Sequence, residues 1–268
     1  MRQNDLNKKV ELLGCDLNRL TMDSALEYSQ KLIEAGGTGH VATVNVSMLM
    51  AMRKDPELKR YIQNSELTLA DGQPLIWLSR LLGTPLSGRV AGIDYCAEVI
   101  KLAAHKNYKV FLLGATQGVN RKVQNKFKSL YPNLKIVGSR DGYFSAHEAG
   151  AAAQMIAGTG ADILIVAMGS PRQEDFIQSH WKTLGVKLAI PVGGSFDVWA
   201  GLRKRAPIWM QQAGLEWVYR MSQDFRRLAP RYAVTNTQFL WHASAALFQA
   251  KFAKALRIIM PKSKVENI

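Results

Sequence analysis

The most constraining feature of the sequence is an unbroken apolar run at residues 163–167, Ile-Leu-Ile-Val-Ala. A strand with one face in water alternates apolar and polar residues, whereas a strand covered on both faces has no need to. Strands of the second kind are typical of parallel sheets with helices packed on each side. The run therefore predicts an α/β protein.

Predicted strands and amphipathic helices alternate along the first 200 residues. Asp55-Pro56 is typical of a helix start, with a capping residue followed by proline at the first helical position. Ser145 and Glu148 form a capping box. This order predicts a Rossmann-like, mostly parallel sheet flanked by helices. Strands are predicted near 10–14, 40–46, 66–70, 108–113, 134–138, 162–168 and 187–192, and helices near 22–35, 56–64, 73–82, 93–106, 118–130, 146–158 and 172–184.

The character of the chain changes near residue 200. Strand patterns stop, and helices are predicted over roughly 204–214, 215–228 and 231–259. Residues 201–268 hold 12 basic and three acidic residues, so this segment carries +9 of the total formal charge of +14. We therefore predict two units: a Rossmann-like core at 1–200 and a helical, basic C-terminal appendage at 201–268.

The basic appendage suits an anionic partner, whether nucleic acid, an anionic membrane surface or a diphosphate. Its last predicted helix has an apolar stripe flanked by basic residues, which is typical of helices that lie on membranes. Packing of this stripe against the core, or against a second subunit in a homo-oligomer, is the open alternative. The stripe consists of Leu240, Phe248, Phe252, Leu256 and Ile259, and the flanking residues are Lys251, Lys254 and Arg257.

Three features bear on the compartment. Cys15 and Cys96 are widely separated and lack metal-ligand spacing, which fits a reducing environment. Residues 1–11 are too polar for a signal peptide. No run of 18 apolar residues occurs, so no transmembrane helix is expected. We expect a cytoplasmic protein that associates peripherally with the inner face of the cell membrane.

Loops that follow two of the predicted strands carry an acid and an amide. Asp71-Gly72 follows the strand near 66–70, where Asp71 could act as a general base. The alternative is that Asp71 only caps the helix predicted from residue 73. Gln173 follows the strand at 162–168 and offers a donor and an acceptor to a sugar or base.

Two further strand ends carry glycines. Gly114 lies in a strand–turn–helix segment at 111–119 that could present N–H groups to phosphate. Gly193 and Gly194 follow the strand near 187–192, and Asp197 could hold a ribose or sugar hydroxyl. In parallel sheets such loops meet at one edge, where ligands bind. We therefore predict one site built from all four loops.

Several common catalytic patterns are missing from the sequence. There is no Asp-x-Asp pair to hold a metal beside a nucleotide sugar, no Walker A motif and no His-Glu-x-x-His motif. The five histidines are scattered. We therefore expect neither a metal nor another cofactor.

The ordered motifs resemble those of the WecG/TagA/CpsF glycosyltransferases, from about residue 10 to 232. The resemblance implies an inverting, metal-independent enzyme that transfers a sugar from a UDP-sugar donor to an undecaprenyl-diphosphate-linked sugar in cell-surface polysaccharide synthesis. The segments that carry it are ADGQPLIW (70–77), GRVAGID (88–94), FLLGATQG (111–118), GSPRQE (169–174), VGGSFDVWAG (192–201), RAPIWMQQAGLEWVYR (205–220) and PRY (230–232).

The resemblance also assigns residues. Asp71 matches the family's proposed base, and Pro230 stands where members carry an arginine, so neighbouring Arg231 is expected to take its place. Asp224-Phe225 replaces a common Glu-Pro. The expected donor- and acceptor-binding residues, from the resemblance and from the loops above, are Thr43, Asn45, Gly72, Arg89, Gly114, Gln173, Gly193, Gly194, Asp197, Arg220, Arg227 and Arg231.

Two other classes stay open on the residues alone. A dehydrogenase-like enzyme would bind a nucleotide cofactor, but the glycine fingerprint at 111–118 is incomplete and no ribose-binding acid follows it. A nucleic-acid-binding module would explain the charge but not four loops at strand ends. We therefore expect no nucleic-acid partner.

Overall fold

The protein is built on a six-stranded, all-parallel sheet with strand order β4-β3-β8-β7-β5-β6. The computed structural model describes residues 8–259, apart from the side chains of Arg227 and of residues 253–259. The strands are β1 Lys9–Leu12, β2 Cys15–Asn18, β3 Gly39–Val44, β4 Leu67–Ala70, β5 Lys109–Gly114, β6 Lys135–Arg140, β7 Ile163–Ala167 and β8 Leu188–Pro191. The sheet confirms the predicted fold class.

The apolar run at 163–167 forms strand β7, and all five of its residues are buried. It lies between β5 and β8, with Ile165 opposite Leu112 on one side and Ile190 on the other. Leu164 and Val166 point into the core on one face of the sheet, and the alternate residues of β7 point into the core on the other. The absence of alternation in the sequence thus has its predicted cause.

Helices cover both faces of this sheet. The helices are α1 Met22–Glu34, α2 Val46–Ala51, α3 Pro56–Gln63, α4 Gln73–Leu81, α5 Gly92–Lys106, α6 Gln117–Leu130, α7 Ala146–Gly158, α8 Arg172–Leu184, α9 Ser195–Trp199, α10 Ile208–Gln212, α11 Glu216–Gln223 and α12 Phe225–Ile259. One face packs against α2, α3, α4, α7, α8 and α12, and the other against α1, α5, α6 and α9.

The first predicted strand is in fact half of a small hairpin. β1 and β2 pair antiparallel around Leu13 and Gly14, which both have positive φ angles. The side chain of Asn18 accepts a hydrogen bond from the backbone N–H of Thr68, at 2.7 Å, and so ties the hairpin to β4. The strand prediction at 10–14 missed β2 because the turn between the strands contains only one glycine and no proline.

The described part of the appendage contains helices and no strand, as predicted, but residues 201–207 are not helical and the helix predicted over 204–214 is confined to Ile208–Gln212. A helix boundary was predicted near 229–230, but α12 begins at Phe225 and runs through Pro230. A proline this close to a helix start removes only one backbone hydrogen bond, and the packing of α12 against α2 stabilises the continuous helix. Phe239 and Ala243 of α12 are buried in the core.

The apolar stripe predicted on α12 is only partly within the description. Leu240, Phe248 and Phe252 are exposed, and the core contact is made by other side chains. Leu256, Ile259, Lys254 and Arg257 have side chains that lie outside the described part. Between residues 8 and 259, no helix has the length and apolar character needed to cross a bilayer.

The close approach of β5 and β7 at Gly114 leads to a prediction about the stability of a variant. Gly114 has φ +125°, and a Cβ there would lie 2.3 Å from the backbone oxygen of Ala167. We expect Gly114→Ala to lower the free energy of unfolding by about 1–3 kcal/mol, the usual cost of overpacking. Urea denaturation measures this difference.

Gly118→Ala is the matched control. Gly118 is exposed in α6, and nothing lies within 4 Å of a Cβ built there. Alanine in a helix should leave stability unchanged or raise it by about 0.5–1 kcal/mol. Equal stability of the two variants would contradict the close approach at Gly114.

Candidate active site

A cleft of about 910 Å³ opens at the carboxyl edge of the sheet. Because the strands are parallel, the loops after β3, β4, β7 and β8 all meet there. The appendage forms the opposite wall. The predicted residues that line the cleft are Thr43, Asn45, Asp71, Gly72, Arg89, Gln173, Gly193, Gly194, Asp197, Arg220 and Arg231.

Two predicted residues are placed otherwise. Gly114 is buried behind the wall, and its neighbours Ala115 and Thr116 line the cleft instead. The Thr116 side chain caps the start of α6 by accepting from the backbone N–H of Val119. Arg227 belongs to α12, and its side chain lies outside the described part.

Asp71 directly follows β4, which is an edge strand of the sheet, and lines the cleft. Its backbone N–H donates to the oxygen of Val44 at 2.9 Å, which fixes the loop beside the end of β3. Helix α4 begins after Gly72 and has no side-chain cap, so the alternative role of Asp71 as a helix cap is not what the structure shows. The carboxylate is left available to the cleft.

Arg89 stands beside Asp71 and contacts it twice. Its Nε donates to the backbone oxygen of Asp71 at 2.5 Å, and its Nη2 lies 3.5 Å from the Asp71 carboxylate. The same Nη2 donates to the Glu216 carboxylate at 2.6 Å. The guanidinium is therefore shared between the proposed base and an acid from the appendage.

Burial raises the pKa of the Asp71 carboxyl above its ordinary value, and this effect outweighs the others. The positive charge of Arg89 lowers the pKa, the negative charge of Glu216 raises it, and Arg220 lowers it. The Asp71 side chain keeps 23% of its surface exposed, so water screens part of these effects. A carboxyl with a raised pKa is a stronger base than an ordinary aspartate.

Gln173 joins two of the loops. Its side-chain oxygen accepts from the backbone N–H of Gly193 at 2.9 Å, and its amide donates to Glu174 at 2.7 Å. The amide that the sequence suggested for ligand recognition thus also holds the β7 and β8 loops together. Burial raises the pKa of the Glu174 carboxyl, and one of its oxygens has no hydrogen-bond partner within the described residues.

Basic side chains of the appendage line the other wall. Arg203 lies 3.6 Å from the Asp197 carboxylate of α9 and 3.2 Å from that of Asp224, so it links α9 to the residue between α11 and α12. Arg231 lines the cleft, and its expected substitution for the family arginine at Pro230 stays a prediction. The basic residues of the wall are Arg203, Lys204, Arg205, Arg220 and Arg231.

Some lining residues escaped the sequence analysis. Glu216 is the clearest example of a missed residue. It is one of only three acids in the basic appendage, and this rarity could have identified it as a site residue. The apolar end of the cleft, where α12 faces α2 and α4, could not have been found without the packing of the helices. That end is lined by Met48, Trp77, Leu81, Phe239, Leu240, Ala243 and Leu247.

Metal ligands were not predicted, and the described residues hold no group of three or more His, Cys, Asp or Glu side chains that could bind an ion. The charged groups near Asp71 are instead arginines that are each shared between two acids: Arg89 between Asp71 and Glu216, and Arg205 between Asp94 and Glu216. The expectation that no metal takes part stays a prediction.

Comparison with known proteins shows what the chain is similar to. The chain matches the model of the glycosyl transferase WecG/TagA/CpsF family over residues 10–253. It is 37% identical over 220 residues to a Bacillus subtilis (strain 168) protein, covering 80% of this chain and 85% of that protein. It is 30% identical over 253 residues to a protein of Staphylococcus aureus (strain MRSA252), covering 94% of each. Both are named N-acetylglucosaminyldiphosphoundecaprenol N-acetyl-beta-D-mannosaminyltransferase.

The contacts of Asp71 predict its titration. We expect its carboxyl to titrate above the ordinary value for aspartate, because burial outweighs Arg89. In Arg89→Gln the pKa should rise further, since the positive charge is removed while Glu216 remains. Carbon-13 NMR of labelled aspartates, with Asp71→Asn to assign the resonance, measures both values. A pKa for Asp71 that is lower in Arg89→Gln would contradict the arrangement.

Proposed function

Because this chain belongs to the WecG/TagA/CpsF family of glycosyltransferases, we propose that it transfers an N-acetylmannosamine unit from a UDP-sugar donor to N-acetylglucosaminyl-diphosphoundecaprenol. The sequence left the donor and acceptor sugars open, and the names of the two relatives favour this pair. The observation that carries the proposal is the position of Asp71: a carboxylate at a parallel strand end, in a cleft whose opposite wall is basic.

The reaction is a single displacement. The acceptor hydroxyl oxygen attacks the anomeric carbon, the bond from that carbon to the UDP oxygen breaks, and the bonding electrons leave with UDP. Asp71 takes the hydroxyl proton. One displacement inverts the anomeric centre, so an α-linked donor gives the β-linkage in the relatives' names.

The two diphosphates need positive charge, which the appendage supplies. Arg220 and Arg231 line the cleft and can each offer forked hydrogen bonds to phosphate oxygens. Arg227 belongs to the same set by resemblance. Stabilising the charge that develops on leaving UDP is the larger catalytic task, because preorganised donors act where water is excluded.

The acceptor's lipid requires a membrane. The appendage has exposed apolar side chains and a net positive charge. Both features support binding to an anionic bilayer surface at the inner face of the cell membrane. A second copy of the chain covering the same side chains is the alternative. These side chains include Ile208, Trp209, Trp241, Phe248 and Phe252.

A donor screen tests the proposal. Purified protein, a lipid-diphosphate N-acetylglucosamine acceptor and a panel of UDP-sugars are mixed, and the product is identified by mass spectrometry. We expect transfer from UDP-N-acetylmannosamine and a β-linkage by NMR. Transfer of a different sugar would replace the proposed donor, and tight binding of NAD without transfer would favour the dehydrogenase alternative.

Asp71→Asn tests the base. We expect kcat to fall by about 10²–10⁴-fold, the usual contribution of a general base, because the amide cannot accept the proton. Circular dichroism and UDP binding should match the wild type, since the amide fills the same space. Near wild-type turnover would defeat the assignment of Asp71.

Metal independence is tested by chelation. We expect transfer to continue in excess EDTA at an unchanged rate, because arginines take the place of a cation beside the diphosphates. Loss of activity that added Mg²⁺ or Mn²⁺ restores would overturn this part of the proposal.

A further inference from the structure

A chain of charged groups connects the appendage to the base. Glu216 is the first residue of α11, and its two carboxylate oxygens face Arg89 at 2.6 Å and Arg205 at 3.8 Å. Arg205 in turn makes a two-pronged ion pair with Asp94 at the start of α5. Glu216 is therefore placed on the appendage but acts on an arginine of the core.

The geometry of Arg89 shows what Glu216 does. The same Nη2 group faces two carboxylates, and it lies 2.6 Å from Glu216 but 3.5 Å from Asp71. The Asp71 carboxylate thus has only the longer and weaker of these two ion pairs. An arginine beside a single carboxylate normally forms a two-bond fork, which would occupy the oxygens that the acceptor hydroxyl needs.

We propose that Glu216 is a positioning residue: it holds the guanidinium of Arg89 away from the Asp71 carboxylate, so that the carboxylate oxygens stay available to the acceptor hydroxyl. This inference rests on the proposed role of Asp71.

The charges that face Asp71 support this role. Arg89 and Arg205 approach from loops, and Glu216 and Arg220 from α11. Glu216 is the acid among these four groups, and its side chain and that of Arg89 are only 18% and 19% exposed. At such burial water screens these charges only in part.

Other contacts hold the appendage against the core. The Arg205–Asp94 pair links the appendage to α5, and Phe239 and Ala243 of α12 are buried in the core. Removing the charge of Glu216 should therefore leave the appendage in place while changing the state of Arg89. A change at Arg89 while the appendage stays in place would show that Glu216 positions Arg89 and does not merely hold the fold together.

The test is Glu216→Gln, with two readouts. The amide keeps the size of the side chain but loses its charge, so Arg89 should close onto Asp71 and lower its pKa. We expect the acidic limb of the pH profile of kcat/KM to move to lower pH, and kcat to fall about tenfold. Carbon-13 NMR of labelled aspartates should show the same downward change at Asp71 without any turnover.

Matched variants complete the design. Asp224→Asn removes an appendage charge that pairs with Arg203 and not with Arg89, so it should leave the acidic limb and the Asp71 titration where they are. In an Arg89→Gln background, Glu216→Gln should cost much less activity than in the wild type. If Glu216→Gln does not fold, Glu216→Asp applies the same test, because its shorter side chain releases Arg89 in part.

The outcomes are distinct. An unmoved limb and unmoved Asp71 titration in Glu216→Gln overturn the inference, even if activity falls. An Asp71 pKa that rises in this variant overturns it as well. If the wild type transfers no sugar, the proposed function fails, and the NMR titration of Asp71 still decides whether Glu216 controls Arg89.

Discussion

Parallel hydrogen bonding in the central sheet is the constraint on which the rest of the molecule depends. It requires crossover helices on both faces, and these bury β7 completely. It also brings the ends of β3, β4, β7 and β8 to one edge, so residues as distant in sequence as Thr43 and Gly193 share a cleft. The common direction of the strands, more than any single side chain, brings the residues of the site together.

The appendage completes what the sheet edge begins. The core contributes the acid Asp71, whereas the appendage contributes most of the positive charge and one acid, Glu216. Without Glu216, Arg89 of the core would be free to pair with Asp71 and would weaken the proposed base. The Glu216–Arg89 contact removes that conflict, because the guanidinium is satisfied by an acid that has no other catalytic task.

The sequence predicted much of this arrangement but missed parts that depend on packing. The four strand-end loops were found because glycines and acids after apolar runs are visible locally. Gly114 was placed among the binding residues, yet it serves the close approach of β5 to Ala167, which no local pattern reveals. Gln173 was identified, but its bonds to Gly193 and Glu174 join segments that only the fold brings together.

By itself, the sequence determined the fold class, the order of the elements and the position of Asp71 after a buried strand, because these follow from apolar periodicity and from residue types at strand ends. Only the tertiary structure decided which charges meet. Arg89 and Glu216 are separated by more than a hundred residues, and their 2.6 Å contact exists because the appendage folds back over the sheet edge. Ion pairs depend on distances of a few ångströms, which a one-dimensional pattern does not contain.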